Sequence, residues 1–304
     1  MEWVIFFIII FTLLALDLGI FNNKDAVISP KTSIIQSAFY ITLGLTFGIY
    51  IWFGHGSQAG KEYLTGFLIE KTLSLDNIFL ISVIFSYFHI PTKYQHRVLF
   101  WGILGVIILR GILIYLGAEL IHRFEWVMYI FGLILILTGL KMLFIRSNEV
   151  DLSKNFMLNF IKKYLPITNQ LHDNKFLITK ENKLYFTPLF LALIVIEMCD
   201  LVFAIDSVPA VFSITTNTFI VYTSNIFAIL GLRSIFFAIN HVIGKFRYLK
   251  YSLALILMFI GSKVYIVEFF SIEKFPASLS LGITVALISF GIIFSLVKKE
   301  KRES

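Results

Sequence analysis

Apolar positions run along this chain in nine long blocks separated by short polar stretches. A helix needs about 20 mostly apolar residues to cross a bilayer. Nine blocks meet that length: 3–21, 33–54, 62–88, 98–120, 124–145, 187–212, 217–239, 250–270 and 277–297. The pattern predicts an all-α fold, a polytopic transmembrane helical bundle of about nine helices. The first block follows Glu2 with no basic segment before it and no A-x-A-like site, so it reads as a retained helix rather than a cleaved signal peptide. One connection is long. Residues 146–186 are polar and basic and contain Pro166. They divide the chain into an N-terminal half (1–145), a cytoplasmic linker (146–186), a C-terminal half (187–297) and a basic tail (298–304). Within the linker, Phe156–Leu165 has the pattern of a short amphipathic helix.

Basic residues orient the bundle. Eighteen Lys and Arg fall in the first, third, fifth and seventh loops and the C-terminus, against three on the other side, Lys61, Arg123 and Lys274. Cytoplasmic loops carry the excess, which puts the N-terminus outside and the C-terminus in the cytoplasm. An odd helix count agrees with that alternation.

Composition strengthens the membrane reading. The chain is 58% hydrophobic and 15% charged, where soluble domains carry about 25% charge. The net charge of +7 lies mostly in loops, so it marks topology and not a nucleic-acid surface. Cys199 is the sole cysteine, which excludes a disulfide within the chain and a multi-cysteine zinc site. No G-x-x-x-x-G-K-[ST] motif is present, which argues against primary active transport by this chain. An intramembrane aspartyl protease would need G-x-G-D, and neither Asp76 nor Asp206 sits in one. No enzymatic activity and no tightly bound cofactor are expected.

The chemistry lies in charges inside the apolar blocks. Ile196–Phe212 holds Glu197, Asp200 and Asp206. A carboxylate at the bilayer centre costs roughly 2.5–3.5 kcal/mol on the lenient insertion scale, so three in one block call for a role or a partner. Pro209 follows and predicts a helix break between Ile205 and Pro209. The third block carries Glu70, Lys71, Asp76 and Asn77. In both blocks two acids stand six apart, with a small polar residue after the second: Glu70, Asp76, Asn77 and Asp200, Asp206, Ser207. The next block in each half holds one arginine, Arg110 or Arg233. Units three helices apart have opposite orientations, so this reads as an inverted repeat of helices 3–5 and 6–8, with a site near the midplane.

Six acids (Asp17, Glu70, Asp76, Glu197, Asp200, Asp206) outnumber four bases (Lys71, Arg110, Arg233, Lys263) within the blocks. The excess favours a cation or protons as the partner. At about 100° per residue, Glu197, Asp200 and Ser207 share one helix face, as do Glu70 and Asn77. Asp76 and Asp206, supported by Asn77 and Ser207, are assigned the shared metal site. Glu70, Glu197 and Asp200 complete it, pair with Arg110 and Arg233, or relay protons. Lys71 joins the arginines as a counter-ion. These oxygen donors suit hard divalent ions such as Mn²⁺, Mg²⁺ or Ca²⁺. The alternatives are an oxyanion carrier using both arginines, a scaffold that hands metal to other proteins, and a purely structural ion network.

Three segments carry a family resemblance: EKTLSLDNIF at 70–79, TPLFLALIVIEMCDLVFAIDSVPAVFSIT at 187–215 and FIVYTSNIFAILGLRSIFF at 219–237. With these the chain resembles the TerC family of integral membrane proteins, whose relatives include Alx-like manganese exporters within the LysE-like transporter group. The resemblance implies a bacterial inner-membrane protein of manganese homeostasis. It would export Mn²⁺ or deliver it to secreted metalloenzymes, and it carries a link to tellurite resistance. Two positions depart from the family pattern: Cys199 stands where Thr is common, and Asn217-Thr218 where Asp-Pro is common. Asn caps a helix as well as Asp, so the second departure leaves function intact.

The topology is open to direct test. In a Cys199→Ser background, single cysteines replacing Lys61 or Ser213 are expected to label from outside intact cells. Cysteines replacing Lys93 or Lys175 should label only after permeabilisation. Labelling of Lys175→Cys in intact cells would overturn the orientation.

Overall fold

The computed structural model describes residues 2–16, 30–124, 126–144, 166–168, 171–180, 183–239, 249–270 and 275–297. Five helices come first: α1 (Glu2–Leu16), α2 (Pro30–His55), α3 (Ser57–Tyr87), α4 (Thr92–Arg123) and α5 (Val127–Phe144). A hairpin follows, β1 (Leu177–Lys180) and β2 (Lys183–Phe186). Then come α6 (Pro188–Phe212), α7 (Thr218–Leu230), α8 (Leu232–Ile239), α9 (Leu249–Phe269) and α10 (Ala277–Val297). Among the described residues, seven helical segments are long and apolar enough to cross a membrane, with α7 and α8 counted as one. α3 also has the length: its 31 residues span about 46 Å at 1.5 Å per residue, but its charges lower its hydropathy. Helices dominate because a backbone in lipid must satisfy its own hydrogen bonds.

Two expectations are corrected. The sixth block is not broken at Pro209, since α6 runs through it to Phe212. Pro209 offers no N–H to the Ile205 carbonyl, yet the backbone stays helical for three more residues. The Pro209 carbonyl accepts from both the Ser213 amide and its hydroxyl, each at 2.9 Å. The break falls in the seventh block instead, at Gly231, which separates α7 from α8. The linker is also less irregular than its composition suggests, because it contains the β1–β2 hairpin. Phe156–Leu165, the 298–304 tail and Asp17 lie outside the described residues.

α7 is the centre of the bundle. Every residue from Phe219 to Leu230 is buried, and α2, α3 and α4 all pack on it. Its start is capped by Asn217, whose Oδ1 accepts from the Phe219 amide at 3.0 Å and the Ile220 amide at 3.4 Å. α3 packs on α7 much as α4 packs on α6, and α5 lies along α9. Outward faces present Phe11, Phe53, Ile108, Leu137, Phe290 and Ile293, the apolar surface that lipid covers.

Glycine permits the closest approaches. Gly56 joins α2 to α3 with φ +91°, a conformation L side chains rarely adopt. A Cβ on Gly261 of α9 would lie 2.5 Å from the Gly132 carbonyl of α5, and one on Gly139 would lie 2.6 Å from the Ala254 carbonyl. Small residues of this kind drive helix association in membranes through backbone contact. Gly261→Leu is therefore expected to force α5 and α9 apart, at a cost of at least ~1–3 kcal/mol. Thermal unfolding in detergent should show a lower midpoint, whereas the lipid-facing Leu255→Ala should leave it nearly unchanged.

Candidate functional site

Arg110 stands in the middle of α4 and is 1% exposed. An unpaired guanidinium at that depth would be prohibitive, and the surrounding helices supply its partners. Its Nε donates to Asp200 Oδ2 at 3.1 Å and its Nη2 to Asp200 Oδ1 at 2.9 Å, a two-pronged grip on one carboxylate. Its Nη1 faces Glu70 Oε1, the Ser207 hydroxyl at 3.1 Å and Asn225 Oδ1 at 2.9 Å. The acceptors come from α3, α6 and α7, so one side chain of α4 ties four helices together.

The acids are held a second time. Asn225 Nδ2 donates to Glu70 Oε2 at 3.0 Å. Asn77 Nδ2 donates to Asp200 Oδ1 at 3.3 Å. Glu70 with Asn77, and Asp200 with Ser207, are each seven residues apart. Two turns of helix return to nearly the same face, which is why each pair reaches one point. The Ser74 hydroxyl turns back onto the Glu70 carbonyl at 2.7 Å and stays out of the cluster. Two carboxylates therefore meet one guanidinium, an excess of one negative charge when both are ionised.

Glu197 is elsewhere. Both of its carboxyl oxygens are buried without a hydrogen-bond partner among the described residues. The group lies against α4, where a Cβ on Gly105 would sit 2.5 Å from it. An ionised carboxylate in such a setting is expensive, so this position calls for a cation or a proton. The side chains of Asp76 and Asp206, assigned to the metal site from sequence, lie outside the described residues. Their backbones are in unbroken stretches of α3 and α6, and those helices pack together.

The bases divide in an unforeseen way. Lys71 does not face a carboxylate of the Arg110 cluster as a direct hydrogen-bond partner. Its ammonium donates to the Ala228 carbonyl at 2.7 Å, beside the Gly231 break, where a Cβ on Gly231 would lie 3.0 Å from Lys71 Nζ. Arg233 is buried, and its guanidinium carbon lies 6.0 Å from the Phe100 ring centroid. It lines a small cavity of about 30 Å³ with Asn77, Cys199 and Asp200. A larger cavity of about 260 Å³ borders the cluster itself, against Glu70, Asn77, Arg110 and Ser207. Asn225 is the residue that sequence reasoning missed. Its signal was a carboxamide inside an apolar run, fully buried in the structure.

Among the described residues no three His, Cys, Asp or Glu converge as a ready-made metal cage. The candidate donors are Asn77 and Ser207, with the carboxylates of Glu70 and Asp200 already bound to Arg110.

Fold and cluster together define a polytopic helical membrane protein, embedded in the lipid bilayer, with an ionised polar centre. The sequence model of the integral membrane protein TerC family matches residues 55–303, and the chain belongs to that family. It is 52% identical over 299 residues to an uncharacterised membrane protein of Rickettsia bellii, covering 98% of each chain. A membrane protein of Myxococcus xanthus is 42% identical over 296 residues, 97% of this chain and 92% of that one. A Salmonella typhi protein provisionally described as the membrane-bound redox modulator Alx is 38% identical over 310 residues, 99% of this chain and 95% of its own. No solved structure matches the chain.

The cluster makes its own prediction. Arg110→Gln leaves Glu70 and Asp200 buried together, and breaking a buried pair costs about 3–5 kcal/mol. Membrane accumulation should fall sharply. Arg110→Lys should not restore it, because a lysine's three donors cannot replace the guanidinium fork. The double variant Arg110→Gln/Asp200→Asn should recover part of the loss, measured as folded protein in detergent.

Proposed function

We propose that this protein is a carrier and not an enzyme, and that it moves a divalent cation, Mn²⁺ in the simplest case, out of the cytoplasm in exchange for protons. The observation that carries the reading is the Arg110 cluster. Among the described residues it holds two carboxylates on one guanidinium beside a cavity. Glu197 adds a further carboxyl without a hydrogen-bond partner among those residues. Cation and protons then compete for the same carboxylates, since a metal needs ionised ligands. Asp76 and Asp206 are the proposed primary ligands, with Asn77 and Ser207 beside them.

An oxyanion carrier is disfavoured by the same geometry. Nε of Arg110 and both of its Nη nitrogens already donate to protein acceptors. An anion would have to displace a carboxylate to reach it. The packing supports the repeat reading, because exchanging α3 with α6, α4 with α7–α8, and α5 with α9 leaves the strongest pairings among these helices unchanged. In this reading the protein sits in the bacterial inner membrane with its N-terminus outside. The Alx-named relatives are compatible with a membrane role of this kind, and their name specifies no ion.

The test uses cells lacking other manganese exporters. Asp76→Asn and Asp206→Asn keep side-chain shape and remove one charge each. Either should raise Mn²⁺ retention to the level of cells without the protein, at equal membrane abundance. Efflux at the wild-type rate in both variants would sink the shared-site assignment.

A further inference from the structure

The 260 Å³ cavity reaches beyond the polar centre. Its inner wall is Glu70, Arg110 and Ser207, all buried. Its other wall is α5, through Thr138, Lys141 and Met142, with Lys141 exposed near the helix end. One continuous space thus joins the most buried charges of the bundle to an exposed lysine. Empty cavities are apolar, whereas a roomy polar one holds water. Carboxylate, guanidinium and hydroxyl groups line its inner end, Leu73, Phe203 and Leu257 line its flank, and the space is many times what one water requires.

We propose that this cavity is the water-filled entry path for hydrated divalent cations, and that the Lys141 ammonium at its mouth sets the threshold concentration for entry. The proposal rests on the cation-carrier reading for what enters. Sequence assigns Lys141 only the role of a helix-end lysine reaching for the membrane surface. Its place on the cavity wall adds a charge that every entering cation must pass. Repulsion scales with the product of the charges, so a divalent ion meets twice the opposition of a monovalent one at the same distance. Such a barrier keeps the site empty at low metal and lets it fill when the ion accumulates. Met142 contributes a thioether to the wall, and Thr138 a hydroxyl.

The experiment is thiol labelling of membranes in both orientations, which needs no transport. In a Cys199→Ser background, Thr138→Cys and Met142→Cys should react with a charged, membrane-impermeant thiosulfonate from one face only. Leu137→Cys, whose native side chain is 55% exposed on the lipid side of the same helix, should not react. Mn²⁺ should slow the reaction at positions 138 and 142. Adding Lys141→Glu should lower the Mn²⁺ needed for half-protection by on the order of tenfold at low salt, an effect that shrinks as salt rises. If positions 138 and 142 react no faster than 137, lipid fills the crevice and the path is wrong. Labelling without Mn²⁺ protection leaves a wet crevice and overturns the cation path. Unchanged protection in Lys141→Glu overturns the role of that charge. Labelling and protection as expected, together with no Mn²⁺ flux in reconstituted vesicles, would fault the carrier reading and keep the path.

Discussion

The structure depends on one guanidinium. Arg110 is held by Asp200 in two-pronged fashion, by Glu70, by Ser207 and by Asn225. In lipid there is little hydrophobic force to hold helices together, so contact and polar pairing must do it. A buried ion pair is weak evidence of net stability in general. It is strong evidence of specificity here, because acceptors on α3, α6 and α7 can meet α4 at only one register. Asn225 then donates to the Glu70 oxygen that Arg110 leaves, and Asn77 adds a donor to Asp200 Oδ1.

A second kind of contact holds the bundle's other seam. α5 and α9 meet through glycine and backbone, with Gly132, Gly139 and Gly261 at the closest points. This seam lacks the cluster's charge density, and close backbone contact joins two tyrosine hydrogen bonds, Tyr129 to Glu268 and Tyr265 to the Tyr129 carbonyl, in holding it. The two seams flank the larger cavity, which α5 and α9 border on one side and α3, α4 and α6 on the other. A cavity so placed has one wall held by salt bridges and one held by packing.

Much of this was legible in the sequence. Apolar block length locates the spans because the bilayer core has a set thickness. The seven-residue spacings of Glu70 with Asn77 and of Asp200 with Ser207 announce shared faces, and the structure brings all four to Arg110. What the sequence hid is which partner each charge would choose. Lys71 follows Glu70 in the chain, yet one residue of helix rotates it by about 100°, toward the α7 carbonyl of Ala228. Pro209 looked like a breaker, but α6 stays helical across it to Phe212. Gly231 looked innocuous inside an apolar run and marks the break between α7 and α8. Asn225 was masked by apolar neighbours, since hydropathy averages over a window and one carboxamide barely moves it.

The central position of α7 bears on how the protein is made. Synthesis proceeds from the N-terminus, so α2, α3 and α4 precede the helix they enclose. Arg110 enters the membrane with Glu70 already present as its partner. Asp200 follows and finds a guanidinium with donors to offer. Asn225 comes last, on a helix buried along its whole length, and closes a network whose ions have already paired. Chain order thus lets Arg110 and then Asp200 each arrive with a partner of opposite charge already in place.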